Sequence, residues 1–243
     1  MELEGQTVLV TGAASGMGRA GALLLAANGA RLAVADRNAA GAEATQRDIS
    51  QAGGQAKAFT VDVSHSSDVD GMVEEVVSAF GGIDVLVHCA GLVSHHNVVE
   101  LSDDEWRRIL STNLDGTFYV CRAVARHMVE RRAGTMVLMT SDRGQLGDKG
   151  AAHYAASKGG MIAFAKSLAM ELGPLGITVN TINPGTTETP FLADMTEERR
   201  RQRTAADPLG RLSQPDEIAQ TILFLASRGG KYMTGQVVTT RMR

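Results

Sequence analysis

A short, uninterrupted aliphatic run, Thr7-Val8-Leu9-Val10, leads at once into Thr11-Gly12-Ala13-Ala14-Ser15-Gly16-Met17-Gly18, and a helical pattern begins at Gly16 and runs to Asn28. No other feature restricts the fold as tightly. A strand that is apolar on both faces needs cover on both faces, and a glycine turn that feeds a helix directly supplies the first half of that cover. The same step recurs at 31–35 then 39–52, at 56–61 then 67–80, and at 85–87 then 103–131. Further strands are predicted at 135–139 and 178–182, the second after a helix at 154–172, and a last pair at 215–227 and 237–240. Strands alternating with crossover helices make an α/β protein, a doubly wound parallel sheet of about seven strands.

The 243 residues are 44% hydrophobic, 21% charged and 4% aromatic, which fits one globular domain over 1–243. The stretch 186–210, rich in Thr, Glu, Arg and Pro, reads as an insertion. A net charge of −3 leaves no basic field for nucleic acid. Cys89 and Cys121 are too few for a disulfide framework and too isolated for a zinc site, so both are expected to be buried and reduced, in a cytoplasmic protein that binds no metal. The acidic start does not resemble a secretory signal. The longest greasy segment, 20–27, falls far short of the ~20 residues needed to span a membrane.

The glycine loop has the chemistry of a pyrophosphate cradle. Backbone N–H groups can approach phosphates where no side chain intervenes, and a helix N-terminus adds about half a positive charge. Its spacing is Gly-x-x-x-Gly-x-Gly, and glycines at such a junction can also serve packing alone. Asp36, ending the second strand 24 residues after Gly12, stands near the offset at which a carboxylate meets an adenosine ribose, although alone it would read as a helix cap. Together the two signals favour a Rossmann-type dinucleotide-binding domain.

Tyr154 and Lys158 lie four residues apart in a helical segment, so their side chains share a face. A phenol has an ordinary pKa near 10, and a fixed cation beside it favours the phenolate, bringing proton transfer toward the working pH. Ser141, thirteen residues earlier, closes the fifth strand at the carboxyl edge where α/β sheets bind ligands.

Thr11 to Gly18, Asp62-Val63, Cys89-Ala90-Gly91, Asn113, Ser141, Tyr154 with Lys158, and Pro184-Gly185, in this order, resemble the short-chain dehydrogenase/reductase family over nearly the whole chain. The resemblance implies that Tyr154 is the general acid/base, that Ser141 hydrogen-bonds the substrate oxygen, that Lys158 holds the nicotinamide ribose and lowers the tyrosine pKa, and that Asn113 anchors a water in the proton relay. It implies cofactor contacts from Gly12, Ser15, Gly16, Met17, Gly18, Asp36, Arg37, Asp62, Val63, Ala90, Gly91, Tyr154, Lys158, Pro184, Gly185 and Thr189. Asp62 would face the adenine and Thr189 the carboxamide. Asp36 and Ser15 point to NAD over NADP; Arg37 is the contrary sign, since it can swing toward a 2′-phosphate.

Two departures stand out. His88-Cys89 replaces the family's usual Asn-Asn before Ala90-Gly91, and Thr239-Thr240-Arg241-Met242-Arg243 replaces the usual Asp-Gly-Gly. Elsewhere His95 and His96 border the expected cleft, His153 reads as structural, Trp106 as a packing anchor, and Met161 and Met170 as core. The 186–210 insertion is expected to act as a substrate lid whose arginines favour an anionic substrate. Apolar patterns at 114–129 and 161–172 resemble the family's paired interface helices, implying a homotetramer or homodimer. The leading function is an NAD-dependent oxidoreductase interconverting a small-molecule secondary alcohol and a ketone. A non-catalytic dinucleotide sensor or scaffold, an NADP-dependent 3-oxoacyl thioester reductase, and a dehydration or epimerisation on the same fold stand as alternatives.

Overall fold

The computed structural model describes residues 1–193 and 195–240. Seven strands alternate with helices: β1 (Thr7–Thr11), α1 (Gly16–Ala27), β2 (Arg31–Asp36), α2 (Ala39–Gln51), β3 (Gln55–Thr60), α3 (Ser66–Phe80), β4 (Val85–His88), α4 (Asp103–Leu110), a π turn (Ser111–Asp115) and α5 (Gly116–Arg131). After these come β5 (Gly134–Met139), α6 (Arg143–Leu146), α7 (Ala152–Leu172), β6 (Ile177–Asn183), α8 (Glu197–Ala205), α9 (Pro215–Ala226) and β7 (Val237–Thr239). The sheet order is β3-β2-β1-β4-β5-β6-β7, and every pairing is parallel. The fold is the doubly wound α/β sheet that the alternation predicts.

Side-chain alternation along β1 divides the core in two. Val8 and Val10 pack with Ala22 and Leu25 of α1 and Ile218, Ile222 and Leu225 of α9 on one face. Leu9 points the other way, into a layer with Val73 and Val76 of α3, Val120 and Val124 of α5, and Ala165 and Ala169 of α7. Central β1 and β4 are buried throughout, whereas edge strand β3 is largely solvent-facing, as water on one side of an edge strand requires.

Three readings need correction. The continuous helix expected over 103–131 is broken by the π turn, from which the Asn113 side chain bonds both backbone groups of Leu92, 21 residues away. Trp106 is 39% exposed and Met170 74% exposed, so neither is a core anchor; Met161 is fully buried. Cys121 is buried but Cys89 is only half-buried, at the mouth of the sheet. Among the described residues no helix is long and apolar enough to cross a membrane.

Candidate active site

The strand order reverses between β1 and β4, and a crevice for ligands opens beyond their carboxyl ends. Thr11 and His88 are register partners there, and Thr11 Oγ1 lies 2.8 Å from His88 Nδ1. Burial holds the imidazole neutral, with its pKa depressed to about 3 and the Lys158 charge adding to that, and Nε2 has no hydrogen-bond partner among the described residues. His88 therefore keeps the strand-to-strand contact of the crevice floor but leaves one buried nitrogen unpaired.

The glycines of the loop have separable reasons. Gly12 has φ +70°, and a Cβ there would lie 2.7 Å from the Ala90 nitrogen; a Cβ on Gly18 would lie 2.2 Å from the Gly12 oxygen. Both are demanded by backbone packing against backbone. At Gly16, with φ +53°, a Cβ would instead press on the Thr189 side chain at 3.2 Å, so the glycine loop and Thr189 pack directly against each other. Ser15 precedes α1 in extended conformation, and its hydroxyl makes no capping bond to the helix. The first turn of α1 carries no acidic side chain, which leaves its N–H groups suited to an anion.

Asp36 Oδ2 accepts from the Ala14 N–H at 3.0 Å, and its Oδ1 from the Asn38 N–H at 2.9 Å. The cap of α2 is Asn38, whose side chain accepts from the Gly41 N–H. The carboxylate thus belongs to the glycine loop rather than to a helix end. Arg37 is exposed, and with Asp62 it lines a hollow of about 540 Å³ beside β3. Burial alone would raise the Asp62 pKa, but Ser64, donating through its hydroxyl and its backbone N–H, brings it below the usual range. Val63 is buried under Gly116, and Met17 packs on the core beside the loop. The Gly185 N–H donates to Thr240 Oγ1 at 3.3 Å, following Pro184 at the end of β6.

At the other end of the crevice the four expected catalytic residues converge. Lys158 Nζ donates to the Met139 carbonyl at 2.9 Å and sits 5.8 Å from the centre of the Tyr154 ring. Gly91 completes the wall: a Cβ there would be 3.2 Å from Asn113 Oδ1 and 3.5 Å from Lys158 Nζ. Asn113 is fully engaged as a brace, Nδ2 donating to the Leu92 carbonyl at 2.9 Å and to Ser157 Oγ at 3.0 Å, while Oδ1 accepts from the Leu92 N–H at 2.7 Å. Ser141 stands two residues beyond the end of β5 rather than closing it, and its Oγ accepts from the Arg143 N–H at 3.2 Å.

The electrostatics differ from the simple expectation for a tyrosine beside a lysine. Burial pushes the Tyr154 phenol up to about 12; the neighbouring Ser141 hydroxyl opposes this, and the carboxylates of Asp142 and Asp148 reinforce it. Lys158, also buried, is brought down to about 8. The stabiliser of the phenolate here is the Ser141 hydroxyl, with the ammonium held on the strand carbonyl instead.

The 186–210 segment is pinched at its neck, where the Glu188 N–H donates to the Ser213 carbonyl at 2.8 Å and the Ser213 N–H to the Thr186 carbonyl at 3.1 Å. It lays Phe191 toward Tyr154, with ring centres 6.4 Å apart. His95 and His96 line a cavity of about 650 Å³ that also contains Asp148, Arg199 and Arg203. His153 is buried and bonded to Ser94 Oγ at 2.8 Å, a structural role. Sequence reasoning missed Asp142, Arg143 and Asp148; the only sign of them was an acid-base pair directly after Ser141. The changed tail at 241–243 lies outside the described residues.

A family model described as enoyl-(acyl carrier protein) reductase matches residues 12–240. The chain is 37% identical to the 3-oxoacyl-[acyl-carrier-protein] reductase FabG of Thermotoga maritima, covering 98% of this chain and 97% of that protein. It is 38% identical to the (2S)-[(R)-hydroxy(phenyl)methyl]succinyl-CoA dehydrogenase subunit BbsD of Thauera aromatica, covering 98% and 96%. Among solved structures, the crystal structure of gox2181 superposes with a TM-score of 0.96 at 33% identity, covering 98% of this chain and 95% of that one.

Proposed function

The chain belongs to the short-chain dehydrogenase/reductase family and is an oxidoreductase acting on CH–OH groups with NAD(P), and from that premise we propose that its substrates are 3-oxoacyl or 3-hydroxyacyl thioesters. The observation that carries the thioester assignment is end-to-end similarity to relatives named for a 3-oxoacyl-[acyl-carrier-protein] and for a succinyl-CoA derivative. Those names favour the thioester alternative over the broader reading of any small secondary alcohol. The sensor or scaffold reading is disfavoured by a convergence of Ser141, Tyr154 and Lys158 that a pure binder has no use for.

The residues present fit a dinucleotide: an uncapped helix N-terminus with glycines before it, Asp36 at the loop, and a side-chain-free Gly91 beside Asn113 and Lys158. The nicotinamide supplies or accepts the hydride when bound. In this reading Gly12, Ser15, Gly16, Met17 and Gly18 hold the pyrophosphate, and Asp36 the adenosine ribose of NAD. Arg37, Asp62 and Val63 border the adenine; Ala90 and Gly91 back the cofactor; Pro184, Gly185 and Thr189 face its carboxamide end. Ser141 donates to the substrate carbonyl oxygen, and Tyr154, adjoining it, delivers the proton to that oxygen. Lys158 holds the ribose and keeps a positive charge beside the phenol. Asn113 braces the turn at Leu92 against Ser157, which fixes the relay in place.

In one domain over 1–243, the 186–210 segment serves as the lid over this cleft. The exposed Phe118 and Met170 on α5 and α7 support closure into a homodimer or homotetramer, which sedimentation at micromolar concentration checks. The function is tested by following reduced-nicotinamide absorbance with acetoacetyl-CoA and a panel of plain secondary alcohols and ketones. Faster turnover of a plain ketone than of the thioester would overturn the substrate assignment.

A further inference from the structure

Three guanidinium groups gather at one side of the cleft. Arg199 donates one nitrogen to Asp148 Oδ2 at 3.3 Å, and Arg203 places a single nitrogen on both Asp148 oxygens, at 3.0 and 2.9 Å. Arg143 Nε lies 3.7 Å from Asp148 and 3.4 Å from Asp142. All three guanidiniums thus converge on Asp148, and two of the three come from α8, on the segment that overhangs the cleft. Arginine normally presents its planar fork to a carboxylate through two parallel N–H bonds. Arg199 and Arg203 instead approach Asp148 end-on, and their other nitrogens make no hydrogen bond among the described residues. Both also line the 650 Å³ cavity, together with Lys149, Glu100 and Glu198. The cluster begins beside the reacting centre, because the backbone N–H of Arg143 donates to Ser141 Oγ at 3.2 Å.

We propose that Arg199 and Arg203, backed by Arg143, bind a carboxylate carried on the acyl chain of the substrate, so that the enzyme acts on monothioesters of 3-oxo or 3-hydroxy dicarboxylic acids; this rests on the thioester reading above. Asp148 holds the two guanidiniums at the cavity wall between turnovers, and its end-on pairing leaves their forks for the incoming group. A neutral acyl chain would leave those open forks without an acceptor in the cleft. The discrimination therefore falls on kcat/KM rather than on cofactor binding. Phosphate on the thioester carrier shares the anionic chemistry, but it is separated from the reacting carbon by the length of the carrier arm, whereas this cluster adjoins Ser141.

The test compares 3-oxoadipyl N-acetylcysteamine with its terminal methyl ester, the same acyl pair on CoA, and, as plain ketones, levulinate with methyl levulinate. The wild type is expected to prefer each carboxylate by about tenfold or more, the scale of a charge-assisted contact. The double variant R199Q/R203Q brings that ratio toward unity, and Arg199→Lys, which keeps the charge but not the fork, retains part of it. Undiminished cofactor binding by the double variant shows that it is folded. A wild-type ratio near unity in both the thioester and the ketone pairs overturns the proposal, as does an equal loss on charged and neutral substrates. A loss that tracks CoA over N-acetylcysteamine, whatever the acyl end, also overturns it by assigning the arginines to the carrier phosphate. If the thioesters are not reduced but levulinate is preferred and the double variant abolishes that preference, the anion site stands and only the thioester reading falls.

Discussion

The ammonium of Lys158 is tied to the main-chain carbonyl of Met139, 2.9 Å away at the end of β5, so the amine is fixed by the sheet rather than by the tyrosine it serves. Burial brings its pKa from the ordinary lysine range down to about 8, while the phenol of Tyr154 is pushed up to about 12. At neutral pH the resting pair is a charged amine and a protonated phenol, a site set to donate a proton to a carbonyl.

The pH dependence follows from those directions. Carbonyl reduction should be level below neutrality and fall as Lys158 loses its charge through about pH 8. Lys158→Arg keeps the cation at every accessible pH, so its profile should lose that limb at a lower absolute rate. A falling limb unchanged in Lys158→Arg would assign it to another group.

Tyr154→Phe removes the proton-transfer oxygen and leaves the ring packed against Phe191. Turnover should drop by the ~10²–10⁴-fold of a lost general acid/base, with little change in cofactor affinity. Fluorescence titration of the reduced cofactor alongside steady-state rates separates the two effects; more than a tenth of wild-type rate would exclude Tyr154 from proton transfer.

The parts of the molecule legible in sequence are those set by periodicity. Continuous aliphatic runs marked β1 and β4 as strands covered on both faces, and the four-residue spacing of Tyr154 and Lys158 put both at one helix face, where the structure has them. What periodicity could not carry was long-range contact. The break at Ser111–Asp115 depends on Asn113 reaching Leu92, 21 residues away, and the arginines on Asp148 depend on a segment 51 to 55 residues downstream. Nor does the Tyr-Lys spacing reveal burial, which together with the Asp142 and Asp148 carboxylates pushes the phenol up rather than down.

His88 makes acid stability a reporter of its burial. Its folded pKa of about 3 lies below the ordinary value of 6.5, so between those values the unfolded chain binds the extra proton. Stability present above about pH 6.5 is then lost as pH falls toward 3, by up to a few kcal/mol. His88→Asn has no such proton to take up, and its urea midpoint should change less between pH 7 and pH 4 than that of the wild type. Parallel curves for the two proteins would mean that the imidazole does not drive the acid limb.

Gly18→Ala forces a methyl to within 2.2 Å of the Gly12 carbonyl oxygen, a backbone atom that cannot rotate away. The loop and α1 must part, at about the 1–3 kcal/mol typical of overpacking, and the cradle widens with them. Chemical denaturation should show the lower midpoint, and calorimetric titration a weaker cofactor. Wild-type affinity in the variant would place the pyrophosphate elsewhere.

The choice between NAD and NADP is expected to turn on Asp36. Its carboxylate is fixed by the N–H groups of Ala14 and Asn38, at the point where the glycine loop meets the end of β2. A ribose 2′-hydroxyl there can donate to it, whereas a 2′-phosphate meets a like charge that cannot swing aside. Arg37 opposes this, but it is exposed and free to turn to solvent, and Ser15 supplies no cation from the loop. The wild type should therefore favour NAD in kcat/KM by at least tenfold, about 1.4 kcal/mol. Asp36→Ala should reduce NAD use and improve NADP use together, since one change removes both the acceptor and the repulsion and leaves Arg37 to attract the phosphate. Equal or better use of NADP by the wild type would reverse the assignment. A variant that loses NAD without gaining NADP would mean that Asp36 only props up the loop through Ala14.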